Sequence, residues 1–215
     1  MGSQTILDLI ASTMVFGSLL IMALRLNMGV SENMQMFRGD LLVQQNLVEI
    51  TRLLEYDFKK IGYCKDPSKI PDPSKAIRYA DSIKIKFLTD FPTASDPTGD
   101  GILDSLTYYV GPKSEASATP NPNDRLLYRV ENNQTPVGVN LGVTQFDLRY
   151  FDAFRDTVRS PVVNCGMIQY MQITIQVENL AASDTLIVNR ASFDRPYQTA
   201  FWRQVRLVAK NLRNR

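Results

Sequence analysis

The chain has 215 residues, a formal net charge of +2 and 21% charged residues. That leaves room for one sizeable folded domain plus an appendage, not for two full domains, and implies no global electrostatic partner. Histidine is absent, which excludes a Ser-His-Asp triad, a histidine general base and every His-ligated metal site.

The chain opens on an apolar run that ends at Arg25 and carries one acid, Asp8, at its head. The sixteen uncharged residues Leu9 to Leu24 fall short of the ~20 of a comfortable membrane span, and extension to Ile6 nearly closes the gap. No Lys or Arg precedes the run, so a secretory signal fits poorly. Beyond Arg25, Met34, Phe37 and Leu41, then Leu47, Ile50, Leu54, Phe58 and Ile61, recur at helical spacing. Ser31 is a candidate cap, Gly39 a candidate kink and Gly62 a stop. The pattern predicts one long helix over 5–61: an apolar transmembrane or filament-core part over 1–30, and an amphipathic part over 31–62 that packs on a β-rich domain over 63–215.

That domain begins with a Pro-, Asp- and Lys-rich turn over 67–73. Period-two alternation then predicts strands. The inward sets are Ile83, Ile85 and Phe87; Leu106, Tyr108 and Val110; Leu126, Tyr128 and Val130; Phe146, Leu148 and Tyr150; and Met171, Ile173, Ile175 and Val177. Residues 200–209 read as a last strand. One-sided burial on so many strands predicts an antiparallel sheet covered by the amphipathic helix, an α+β fold. Residues 111–124 read as a long polar surface loop, and 181–199 as a second irregular stretch.

One segment has the pattern of a metal loop. Asp96, Thr98 and Asp100 place oxygens at alternate positions, Gly101 allows a sharp turn, Ile102 offers its carbonyl and Asp104 follows. The twelfth position is Thr107, where an EF-hand needs a bidentate Glu. The run is therefore either an EF-like calcium loop completed from elsewhere or a plain Asp/Gly turn between strands. Cys64 and Cys165 form no CxxC; they read as one disulfide closing a long loop, as suits an exported domain, or as two separate thiols. There is no Walker loop, no GxGxxG and no catalytic constellation. The basic C-terminal residues, from Arg195 to Arg215, lack the aromatic interleaving of a base-stacking platform, and no nucleic-acid partner is expected. Asp8 reads either as a helix N-cap or as a functional carboxylate.

Gln4-Thr5-Ile6-Leu7-Asp8-Leu9 aligns without gaps to the Phe-Thr-Leu-Ile-Glu-Leu start of mature type IV pilins and pseudopilins, with Asp8 in place of the family's Glu. Leu53 to Tyr63 resembles the Leu-x-x-Asp-hydrophobic-Arg-x-Ala-Gly-Tyr helix end of the large minor pilins: the W-type minor pilin and the J-type pseudopilin of type II secretion. Leu127-Tyr128-Arg129-Val130, and Val205-Arg206-Leu207 with Asn211, are similar to the same group. The junction matching the family's cleavage site is Ser3–Gln4, with three uncharged residues ahead of it where the family has a basic leader ending in glycine.

The resemblance implies a non-enzymatic structural subunit of a type IV pilus-like or type II secretion filament. Its partners would be other such subunits. The helix would rest in the inner membrane, with the head extracytoplasmic, before entering an envelope or extracellular filament. Gln4, Thr5 and Asp8 would serve assembly, Asp8 by pairing with a neighbouring subunit's amino terminus. The rivals are a membrane-anchored extracytoplasmic binding module that does not polymerise and a hydrolase acting through carboxylates alone.

Overall fold

The computed structural model describes residues 2–94, 96–179 and 200–208. Helix α1 runs unbroken from Gly2 to Lys59. The first proline is Pro67, so nothing ahead of it removes a helical donor or clashes with the preceding turn. Ser31 does not cap a helix and Gly39 does not interrupt one. An interior glycine costs only about 1 kcal/mol, too little to break a helix supported on both sides. The chain divides into two compact units, Met1–Leu41 and Leu42–Arg215.

In the first unit, none of the large apolar side chains described on α1 is buried: Ile6 to Val30, Met34 and Phe37 are exposed. In the second unit the end of α1 buries Val43, Leu47, Ile50, Leu54 and Phe58, followed by Ile61. Within the second unit the sealing face of α1 runs from Val43. Helical periodicity marks a face but does not say what covers it, and Met34, Phe37 and Leu41 remain exposed within this chain. The helix ends at Lys59, and Gly62 closes the turn that follows, its N–H donating to the Leu88 carbonyl at 2.9 Å.

The described residues of the second unit form one antiparallel sheet of eight strands: β1 (Ile77–Ala80), β2 (Lys84–Thr89), β3 (Asp104–Val110), β4 (Arg125–Glu131), β5 (Gly138–Phe151), β6 (Thr157–Val158), β7 (Tyr170–Glu178) and β8 (Ala200–Val208). The order is β1-β2-β3-β4-β5-β7-β8, with β6 paired to β5. This is the α+β arrangement expected from the sequence. Most inward residues of β2, β3, β5 and β7 are those the alternation picks out: Ile85, Phe87, Leu106, Tyr108, Phe146, Leu148, Tyr150, Met171, Ile173, Ile175 and Val177 are all buried; Ile83, expected with them, lies ahead of β2 and is exposed. The Phe58 ring meets Phe87 edge-on at 5.4 Å and Tyr108 at 5.6 Å. Burying a side chain of this kind contributes about 1.5–3 kcal/mol.

β4 departs from the predicted phase. Val130 is buried as expected, but Leu127 is buried in place of Leu126, and Arg129 beside it bonds to Asp57 of α1. Tyr128 lies on the opposite face, stacked on Tyr109 at 4.6 Å. The helix-facing row of β4 is therefore mixed, apolar then charged, and the cleaner apolar alternation belongs to the wrong face. A register shift between Arg125 and Leu127 adds to the irregularity.

The Pro-rich exit holds two single-turn 3-10 helices, Pro67–Lys69 and Pro73–Lys75, capped by the Asp66 and Asp72 carboxylates. The short strands β1 and β6 carry too few residues to show an alternation. The 111–124 segment is anchored rather than free: Ala116, Asn121 and Asp124 are buried. The irregular stretch expected over 181–199 lies outside the described residues.

Candidate functional site

The first unit offers an apolar helical surface. Ile6–Ser31 is 26 residues long with a mean hydropathy of 2.0, and among the described residues it is the one segment long and apolar enough to cross a membrane. Three of its hydroxyls are satisfied internally: Ser12 donates to Leu9 O at 2.9 Å, Thr13 to Ile10 O at 2.9 Å and Ser18 to Val15 O at 2.8 Å. Back-bonding of this kind leaves no donor unpaired when a helix enters an apolar medium. Gln4, Thr5 and Asp8 all lie on α1. The helix begins at Gly2 and has no acid in its first turn, which removes the capping role for Asp8. Asp8 is exposed and forms no ion pair with another described residue. It is a carboxylate on an otherwise apolar surface, where a charge is costly unless a partner meets it.

In the second unit, the Asp96–Asp104 run is organised around a residue that sequence reasoning passed over. Asp90 is fully buried. Its Oδ1 accepts from Asp100 N at 3.1 Å, and its Oδ2 accepts from Gly101 N at 3.0 Å and Lys65 N at 3.0 Å. The expected calcium ligands turn to other donors. Asp96 accepts from Thr98 N at 2.8 Å and pairs with Lys65 Nζ. Asp100 accepts from Ile102 N at 2.8 Å, and Asp104 from Asn132 Nδ2 at 2.8 Å and Phe91 N at 3.3 Å. The Lys65 ammonium, followed by the Thr98 hydroxyl and N–H, holds the Asp96 carboxyl well below its usual range.

Carboxylates that face N–H groups and an ammonium do not converge on a cation. Among the described residues no group of three or more His, Cys, Asp or Glu is placed to hold a metal ion. The residues of this loop do not fit calcium; the loop is a hydrogen-bonded Asx-type turn. The disulfide is corrected as well: Cys64 and Cys165 are free. Each is committed to a different acceptor, Cys64 Sγ donating to Asp90 Oδ2 and Cys165 Sγ to Val162 O, both at 3.7 Å. Burial pushes both thiols above their ordinary pKa, which keeps them protonated and slow to oxidise.

The segments Leu53–Tyr63 and Leu127–Val130 meet in space. Asp57, near the end of α1, accepts from Arg129 Nε at 2.7 Å and from the Tyr108 hydroxyl at 2.5 Å. Arg129 also pairs with Glu131. Burial, reinforced by the Asp57 charge, pushes the Tyr108 phenol far above its ordinary range, so it serves as a permanent donor. This buried lock ties the helix end to β3 and β4.

The fold and these contacts define a chain with a long, apolar N-terminal helix and an α+β head of one antiparallel sheet. No protein-family model and no curated protein matches it. Among solved structures, it is similar to a type IV-like pilin from Thermus thermophilus at 9% identity and a TM-score of 0.43, over 79% of this chain and 97% of that one.

Proposed function

We propose that the chain is a filament-building subunit of the type IV pilin and pseudopilin kind, serving a type IV pilus-like or type II secretion assembly. The observation that carries the reading is the Ile6–Ser31 segment. This 26-residue helical segment, mostly apolar, buries none of its large apolar side chains against the described residues, yet holds a carboxylate, Asp8, near its start. In a bilayer the segment would hold the subunit at the inner membrane. In a filament the same surface would pack against neighbouring helices, and Asp8 would meet a neighbour's amino terminus. The work is mechanical, done by helix packing and by contacts of an extracytoplasmic head.

The test is Asp8→Ala in the full chain, read by imaging and subunit crosslinking. Lost co-assembly with an unchanged melting curve of the head supports the proposal. Unchanged assembly, or a wild-type protein found only as a membrane-bound monomer, would favour an anchor that carries a binding module.

A further inference from the structure

The β4–β5 hairpin carries two adjacent asparagines with opposite surroundings. Asn132, at φ +51°, is pinned to the start of β3. Its N–H donates to Ser105 O at 2.7 Å, its Oδ1 accepts from Ser105 N at 2.8 Å and its Nδ2 donates to Asp104 Oδ1 at 2.8 Å. Asn133 is exposed, and no hydrogen bond to a described residue holds its amide. The bond from Gln134 N to Glu131 O, at 3.0 Å, closes the turn that displays it. Residues 132–137 are all exposed, and the Thr135 hydroxyl is as free of described partners as the Asn133 amide.

Asn133-Gln134-Thr135 has the form Asn-x-Ser/Thr with x other than proline, and Asn133 is the one asparagine in the chain that meets it. An amide nitrogen is a weak nucleophile that only an enzyme activates, and the hydroxyl two positions on gives that enzyme a second handle. A proline between them would fix φ at about −65° and spoil their joint uptake. The spacing alone recurs by chance. Here the fold adds a condition of its own: it locks Asn132 into the turn and leaves both groups of the acceptor outside. We propose that Asn133 is an N-glycosylation site, taking an oligosaccharide from a polyprenyl-pyrophosphate donor. The Asn133 Nδ2 attacks the anomeric carbon of the first sugar. A C–N bond forms, the bond from that carbon to the pyrophosphate oxygen breaks, polyprenyl pyrophosphate leaves, and one amide proton passes to solvent through the enzyme. The product is a bulky, solubilising chain on a surface turn. It would also cover Val137, which the same loop leaves 70% exposed. The proposal rests on one part of the filament reading, an extracytoplasmic head, where such donors are consumed; it does not rest on assembly.

The experiment incubates the full chain in detergent with a purified single-subunit oligosaccharyltransferase that requires only Asn-x-Ser/Thr. A polyprenyl-pyrophosphate oligosaccharide and manganese are supplied, and intact mass with peptide mapping is the readout. The folded wild type is expected to gain the mass of one oligosaccharide, mapped to Asn133. Asn133→Gln and Thr135→Ala should abolish the gain and Thr135→Ser should keep it. All three should melt with the wild type, because neither side chain holds the head together. A heat-unfolded sample of the wild type runs in parallel. Three results would overturn the proposal: no transfer to the folded chain, transfer only after unfolding, or transfer that survives in Asn133→Gln. Asp8→Ala should accept the glycan as the wild type does, so a failure of the filament reading and a failure of this one are told apart.

Discussion

Asp57 shows what one side chain does for this head. Its carboxylate is 3% exposed and holds both the Arg129 guanidinium and the Tyr108 hydroxyl. Asp57→Ala strands an arginine and a phenol, and the expected loss is about 3 kcal/mol, since breaking one side of a buried pair leaves the other uncompensated. Tyr108→Phe removes one hydrogen bond and should cost about 1 kcal/mol. Denaturant unfolding of the two single variants and the double variant measures both figures and their coupling. Gly142→Ala should also destabilise, by about 1–3 kcal/mol. Residue 142 has φ +74°, and an added Cβ would sit 2.3 Å from the Glu178 carbonyl oxygen. Asp96 adds a pH dependence. Its folded pKa is depressed below 3.8 by Lys65 and Thr98, so its contribution is present above that value and lost as pH falls toward the folded one. Asp96→Asn should remove that part of the acid-side slope of the melting point, and salt should shrink it, because the pair is solvent-exposed. Asp57 and Arg129 stood out in the sequence only as letters within two motifs. A separation of 72 positions hides their pairing, because no periodicity links a helix end to a middle strand. Asp90 was hidden for a related reason: a lone Asp after a strand looks like any turn residue until the N–H groups it collects are placed around it.

At the scale of elements, α1 separates two kinds of apolar residue that the sequence presents alike. Phe58 is fully buried against Phe87 and Tyr108, and Phe58→Ala should cost about 3–5 kcal/mol. Phe37 is 65% exposed, and Phe37→Ala should move unfolding of the head by less than about 0.5 kcal/mol. Chemical denaturation followed by tryptophan fluorescence makes the comparison directly. Both phenylalanines fit one helical stripe, so the periodicity placed the helix but does not tell which of its apolar residues the head buries. The strands divide in the same way. β7 alternates cleanly because its inward row is apolar throughout, from Met171 to Val177. β4 reads out of phase because Arg129 occupies an inward position, where burial is bought with an ion pair rather than with hydrocarbon. A pattern rule that equates inward with apolar reverses the strand at such a position. The Asp96–Asp104 loop fails for a different reason: spacing along a chain states which oxygens could converge, and Asp90 decides that they do not.

For the whole molecule, the two compact units predict two separable kinds of loss. The head draws its stability from the sheet and the last part of α1, whereas the large apolar side chains of Ile6–Ser31 make no buried contact within the chain. A charge placed in that segment should therefore leave head unfolding unchanged while altering where the protein resides. Leu19→Asp puts a carboxylate near the middle of the segment, where insertion into a bilayer costs about 2.5–3.5 kcal/mol on the translocon scale. The expected result is a fall in the membrane-retained fraction, with a melting curve that superimposes on the wild type. Leu54→Ala should give the converse: unchanged membrane retention and a head weakened by about 2–5 kcal/mol. Fractionation and melting of the same two variants decide the matter. If Leu19→Asp instead lowered the melting point of the head as much as Leu54→Ala does, the apolar segment would belong to the head's own core, and its role as an anchor or filament helix would have to be abandoned.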